Sequence, residues 1–129
     1  MREVVTKGLD ILSEGLLVYQ RASDNANISR FIADGCLKRF EYVFNLTLKM
    51  MKQYLKAKLN KQEKELTINN IFKLMQEDKK IIDVQKWMAY YQYFLNIRQG
   101  YDIENANRMV LFVGDYVHSM RFLLNGMKN

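Results

Sequence analysis

The stretch from Ser29 to Leu59 constrains the fold more than any other part of the chain. Its polar residues Asp34, Lys38, Glu41, Asn45, Lys49, Lys52 and Lys56 recur at intervals of four and three. That spacing holds them on one helical line for about six turns. Opposite the line run two apolar stripes. Ala33, Leu37, Phe40, Phe44, Met51 and Tyr54 form the first, interrupted by Thr47; Ile32, Cys36, Val43, Leu46 and Met50 form the second. So wide an apolar arc needs at least two packing partners, and at roughly 1.5 Å per residue the helix measures about 45 Å. The sequence predicts a central helix with the other elements gathered around it.

Those other elements also read as helices. The chain has no proline and six glycines, too few breakers for the closely spaced turns of a strand-rich fold. A first helix is expected over 2–21, with Val5, Leu9, Leu12, Leu16 and Tyr19 in a four-three rhythm and Val4, Ile11 and Leu17 beside them. Gly8 and Gly15, seven apart, predict a close approach by a neighbouring helix. After a polar link over 22–27 and the central helix, Thr67 caps a short helix to about Asp78, with Ile68, Ile71, Phe72 and Met75 on one side. Asp83 caps the next, from Val84 to about Gln99. Its five aromatics within eight residues (Trp87, Tyr90, Tyr91, Tyr93, Phe94) predict core packing and a protein–protein surface as well. Gly100 ends that helix. Asp102 then caps a last one running to about Asn125, with Ile103, Ala106, Val110, Val113, Val117, Met120 and Leu124 as its apolar stripe. The expected fold is all-α: an antiparallel up-and-down four-helix bundle with one extra short helix, a single domain over 1–129.

Composition narrows the function classes. The chain is 129 residues long, 49% hydrophobic and 26% charged, which suits one soluble domain. The lone Cys36 falls on the apolar face of the central helix. It excludes a disulfide framework, favours a reducing compartment and reads as packing. With no leader-like start and no apolar run near 18 residues, a cytoplasmic protein without a membrane span is expected. His118 reads as a surface or structural histidine, with no carboxylate or second histidine expected at ligand spacing. No catalytic residue, metal site or cofactor is assigned. The net charge of +6 permits an acidic partner or nucleic acid. A basic run (Lys49, Lys52, Lys56, Lys58, Lys61, Lys64) is tempered by Glu63 and Glu65 and interleaved with a single aromatic, Tyr54. It reads as a solvated face, with RNA binding as a weaker alternative.

One junction holds chemistry. Asn96-Ile97-Arg98-Gln99-Gly100-Tyr101-Asp102 places an arginine, two amides and a phenol beside two helix ends, where free N–H groups of the following helix can meet an anion. The competing reading is a capped turn with a surface arginine.

The residues Asp34 to Lys49, with Arg39-Phe40-Glu41-Tyr42 at their core, followed by Tyr54-Leu55, Ile71-Phe72, Trp87 and Tyr101-Asp102, resemble the nucleotidyltransferase substrate-binding proteins of the HEPN superfamily. The resemblance implies a dimeric five-helix bundle that binds a minimal nucleotidyltransferase, often as a toxin–antitoxin pair. In such pairs the helical protein is a ribonuclease, neutralised in some systems by adenylylation of a tyrosine. The family's ribonuclease motif is an arginine, four to six residues, a histidine, one residue, then that tyrosine. Aligning Tyr101 with it puts Gln99 at the histidine and Phe94 at the arginine, and neither can do that chemistry. Asn45 and Leu48 depart from the usual glutamate and tryptophan. The expected function is a non-catalytic partner subunit of a nucleotidyltransferase, with a ribonuclease of diverged active site as the alternative. Asn96, Arg98, Gln99, Tyr101, Asp102, Arg39 and Glu41 are the candidate binding residues, and Tyr101 is the candidate adenylylation acceptor.

Overall fold

A computed structural model describes residues 1–22, 26–99 and 106–128. Apolar residues at helical spacing give five α-helices among them: α1 (Arg2–Arg21), α2 (Ala26–Leu59), α3 (Ile68–Glu77), α4 (Val84–Arg98) and α5 (Ala106–Gly126). A short 3-10 turn, Glu63–Glu65, stands between α2 and α3. α2 is the hub. α1, α3, α4 and α5 all pack on it, while α1 also meets α5 and α3 also meets α4.

The caps show why the helices start and stop where they do. Thr67 Oγ1 accepts the Asn70 N–H at 3.3 Å, and Asp83 Oδ1 accepts the Gln85 N–H at 2.9 Å. Lys79 takes a left-handed φ of 62° past the end of α3, which lets the Lys80 N–H reach back to the Met75 carbonyl at 2.9 Å. α2 begins three residues earlier than expected, at Ala26. The expected roles of Gly100, Asp102 and Ile103 fall outside the described residues.

The polar line and apolar arc of α2 face as their spacing requires. Ala33, Cys36, Leu37, Phe40, Val43, Phe44, Met50, Met51 and Leu55 are buried, while Asp34, Lys38, Asn45, Lys49 and Lys56 are exposed. Thr47, the polar interruption, is fully buried and satisfied. Its hydroxyl donates to the Val43 carbonyl at 2.8 Å, so the Tyr116 phenol donates to Thr47 at 3.1 Å. Burial accordingly pushes the Tyr116 phenol up.

Three expectations change. The α4 aromatics do not form an outer surface: Trp87, Tyr90 and Phe94 are buried, and Tyr91 and Tyr93 are half-buried. They fill the space between α2 and α5, where Phe44 lies 5.0 Å from Phe94 and Trp87 5.3 Å from Tyr90, centroid to centroid. α5 is rotated from its expected stripe. Met109, Val113, Tyr116, Met120 and Leu123 are its buried line, with Val110 and Val117 only half-buried, because Tyr116 inserts among Phe40, Phe44, Trp87 and Tyr90. Finally, Val4, Ile11 and Leu17 of α1 are exposed rather than packed beside its core stripe.

Candidate functional site

The residues predicted at the α4–α5 junction are placed in part. Arg98 is exposed at the end of α4, its guanidinium carbon 5.3 Å over the Phe94 ring. Asn96 is half-buried and accepts from Gln92 Nε2 at 3.1 Å, and Gln99 is exposed, its N–H bonded to the Leu95 carbonyl at 3.1 Å. Asn96 and Arg98 share the last turn of α4, and Gln99 caps it. Tyr101 and Asp102 lie outside the described residues. Phe94, which the sequence resemblance aligned with the arginine of a ribonuclease motif, is a core ring against Phe44.

Arg39 and Glu41 do not form one site. Two residues apart on a helix, they point about 200° apart around its axis. Arg39 stacks over Tyr42 at 5.5 Å, and the Tyr42 ring edge comes 3.9 Å from the Cβ position of Gly8 in α1. Glu41 sits half-buried on the polar line. Cys36 is buried, and burial raises its thiol pKa, as fits packing rather than reactivity.

A cluster missed in the sequence joins α4 to α5. The Tyr90 phenol donates to Asp115 Oδ2 at 2.5 Å, Ser119 donates to the same phenol oxygen at 2.7 Å, and Lys86 Nζ meets Asp115 Oδ1 at 3.1 Å. Burial pushes the Tyr90 phenol up, helped by Asp115; the bond from Tyr90, with Lys86, holds the Asp115 carboxyl below its usual value against some burial. A phenol so held is a donor and a poor base, so the cluster fastens two helices. The sequence did carry its signal. Lys86 and Tyr90 are four apart on one helix, Asp115 and Ser119 four apart on the next, and Asp115 stands three before His118, so a carboxylate does lie at helical spacing from that histidine, against expectation. Beside the cluster, Ile81, Ile82, Trp87, His118 and Phe122 line a hollow of about 390 Å³. His118 itself is exposed.

Among the described residues no three His, Cys, Asp or Glu side chains gather to hold a metal, and no helix is long and apolar enough to cross a membrane. The basic run is partly neutralised, since Lys52 meets Glu63 at 3.2 Å and Lys56 pairs with the same carboxylate.

Comparison with known proteins adds two findings. Residues 6–129 match the family described as nucleotidyltransferase substrate binding protein like. The fold is similar to that of HI0074 from Haemophilus influenzae, whose structure is described as the fold of a substrate binding domain of a nucleotidyltransferase. The TM-score is 0.88 at 20% identity, with 100% of both chains covered. No curated protein matches the chain.

Proposed function

We propose, from the premise that this chain belongs to the nucleotidyltransferase substrate binding protein like family, that it is a non-catalytic subunit docking a separate nucleotidyltransferase. The family match over residues 6–129 is the observation that carries the reading. The residues at the ribonuclease motif support the non-catalytic part. Phe94 is spent in the core, and Gln99 is an exposed amide with no proton to exchange near neutral pH. The last turn of α4 is the docking edge in this reading. Arg98 is held by Phe94 with its guanidinium in solvent, ready for a carboxylate or phosphate, and Asn96 and Gln99 flank it. Tyr101, three positions after Arg98 in the sequence, is the adenylylation acceptor in this reading, in a pair of toxin–antitoxin type.

The test is capture of a nucleotidyltransferase from the source cell, sought first in the neighbouring reading frame. Wild type is expected to hold it. Arg98→Ala should weaken the complex about tenfold with helicity unchanged, the effect of losing one well-placed charged contact. Failure of wild type to bind, or RNA cleavage by the purified protein, overturns the reading.

The same proposal includes a homodimer, which in this reading uses the exposed apolar face of α1 and α2. Val4, Ile11 and Val18 of α1 and Ile28, Phe31 and Tyr42 of α2 are all exposed, Phe31 by 80%. Their helical positions put them on the outer flank where these two helices meet. Light scattering should give about twice the chain mass of 15.4 kDa. The double variant Ile11→Glu with Phe31→Glu should give a folded monomer; a wild-type monomer at all concentrations removes the dimer.

A further inference from the structure

Two groups of basic side chains are treated differently by the fold. In the run visible in the sequence, Lys52 and Lys56 close on Glu63. A second group exists only because the start of α1 lies beside the end of α5. There Arg2, Lys7, Arg121 and Lys128, with Asn125 and the single acid Glu3, border a hollow of about 480 Å³. Arg121 is held by Asp10 at 2.8 Å, and Arg2 gives one N–H to the Met127 carbonyl at 3.1 Å. A carbonyl cancels no charge. Among the described residues no carboxylate lies within ion-pair distance of Arg2, Lys7 or Lys128.

Cations near the end of α5 complement its terminal carbonyls, which accounts for Arg2 and Lys128. It does not account for Lys7, which sits in the second turn of α1, near the end of that helix that already carries positive partial charge. Like charges turned into one concavity repel, and a multiply charged anion between them removes that cost. The volume falls within the range of small-ligand sites, and an arginine fork with two ammonium groups and an amide makes a donor set suited to phosphoryl oxygens.

We propose that this hollow binds a small polyphosphate, a ligand bearing two or more phosphoryl groups, held by Arg2 and Lys7 of α1 and Lys128 beyond α5. The site's residues lie apart from the last turn of α4, so it is independent of the docking reading, while Lys7 adjoins Val4 and Ile11 of the proposed dimer face.

The test is calorimetric titration of the full chain with sodium pyrophosphate at low salt. Saturable binding, one per chain, is expected, weakening about tenfold at 0.15 M salt because the site is open to solvent. Inorganic phosphate, with fewer charges, should bind more weakly. Lys7→Gln with Lys128→Gln should weaken pyrophosphate about tenfold, the summed loss of two exposed charge contacts. The control, Lys49→Gln with Lys58→Gln, removes the same net charge from exposed positions of α2 and should change binding by less than about twofold. Circular dichroism checks that both remain folded. Absence of saturable binding overturns the proposal. So does equal loss in the two double variants, which would reduce the effect to net charge, or binding of a short single-stranded RNA without binding of pyrophosphate.

Discussion

On one flank of α2 the neighbouring backbone comes so close that a Cβ on Gly8 would stand 2.9 Å from Val43 Cγ2, and one on Gly15 3.1 Å from Cys36 Sγ. On the other flank rings hold the helices apart. Phe40 lies 4.8 Å from Tyr116, Phe44 5.0 Å from Phe94, and Tyr90 bridges to Asp115 across the gap. The same helix is thus gripped by absence of side chain on one side and by excess of it on the other. The two grips fail differently. A glycine seam leaves no volume to lose and none to gain, so it resists additions. A ring-filled layer leaves large holes when trimmed, so it resists deletions. The contrast also explains where apolar surface remains. The seam is thin, so α1 residues just off it, such as Ile11 and Val18, find nothing to cover them, whereas the ring layer hides almost all of α4's aromatics.

The largest expected effect lies in the ring layer. Phe44 is fully buried and in ring contact with Phe40, Trp87, Tyr91, Phe94 and Tyr116. Phe44→Ala should cost about 3–5 kcal/mol in chemical denaturation. A loss under about 1 kcal/mol would mean the layer closes over the hole and does not differ from the seam. Next comes addition to the seam. Gly8→Ala should cost about 1–3 kcal/mol through overpacking, less up to about 1 kcal/mol gained from helix propensity. Gly35→Ala is the internal comparison, since its Cβ would meet nothing within 4 Å, and it should stabilise by up to about 1 kcal/mol. If both glycines respond alike, propensity governs and the close approach does not.

Alkaline pH should separate the two flanks without mutation. The phenols of Tyr54, Tyr90 and Tyr116 all lie away from the α1 seam, and each is pushed above the ordinary tyrosine value of 10.0 chiefly by burial, Tyr54 to about 12. A raised folded value means the neutral phenol is favoured in the native state. Their stabilisation is therefore complete below pH about 10, the unfolded value, and is lost as pH rises through the folded ones. Denaturation midpoints should fall above pH 10, and Tyr54→Phe, which removes the phenol that donates to Asp78, should flatten the fall up to about pH 12. A flat profile in wild type would disconnect these phenols from stability. The smallest effect belongs outside both flanks. Lys52→Ala, on the polar line, should change stability by less than about 0.5 kcal/mol despite its exposed pair with Glu63.

Much of this molecule was legible before its structure. The span Arg2–Arg21, the caps Thr67 and Asp83, the buried arc of α2 and the closeness at Gly8 and Gly15 follow from local periodicity and cap chemistry, which any chain with these spacings must obey. The family resemblance rests on residues of α2 together with Ile71, Phe72, Trp87, Tyr101 and Asp102, and the family match spans 6–129. The site was legible only in pieces. The pairs Lys86 with Tyr90 and Asp115 with Ser119 stand four apart in the sequence. That Tyr90 meets Asp115, or that Lys7 and Lys128 border one hollow, joins residues with 24 or more positions between them and is set only by the fold. Periodicity fixes which side chains share a face, and leaves open how far that face is rotated when apolar residues adjoin it on both sides. On α5 two lines stand side by side, the expected one through Val110 and Val117 and another through Met109 and Tyr116. The fold took the second because a buried ring with a hydroxyl needs both the aromatic space beside Phe40 and a partner such as Thr47, and only the assembled helices supply the two together.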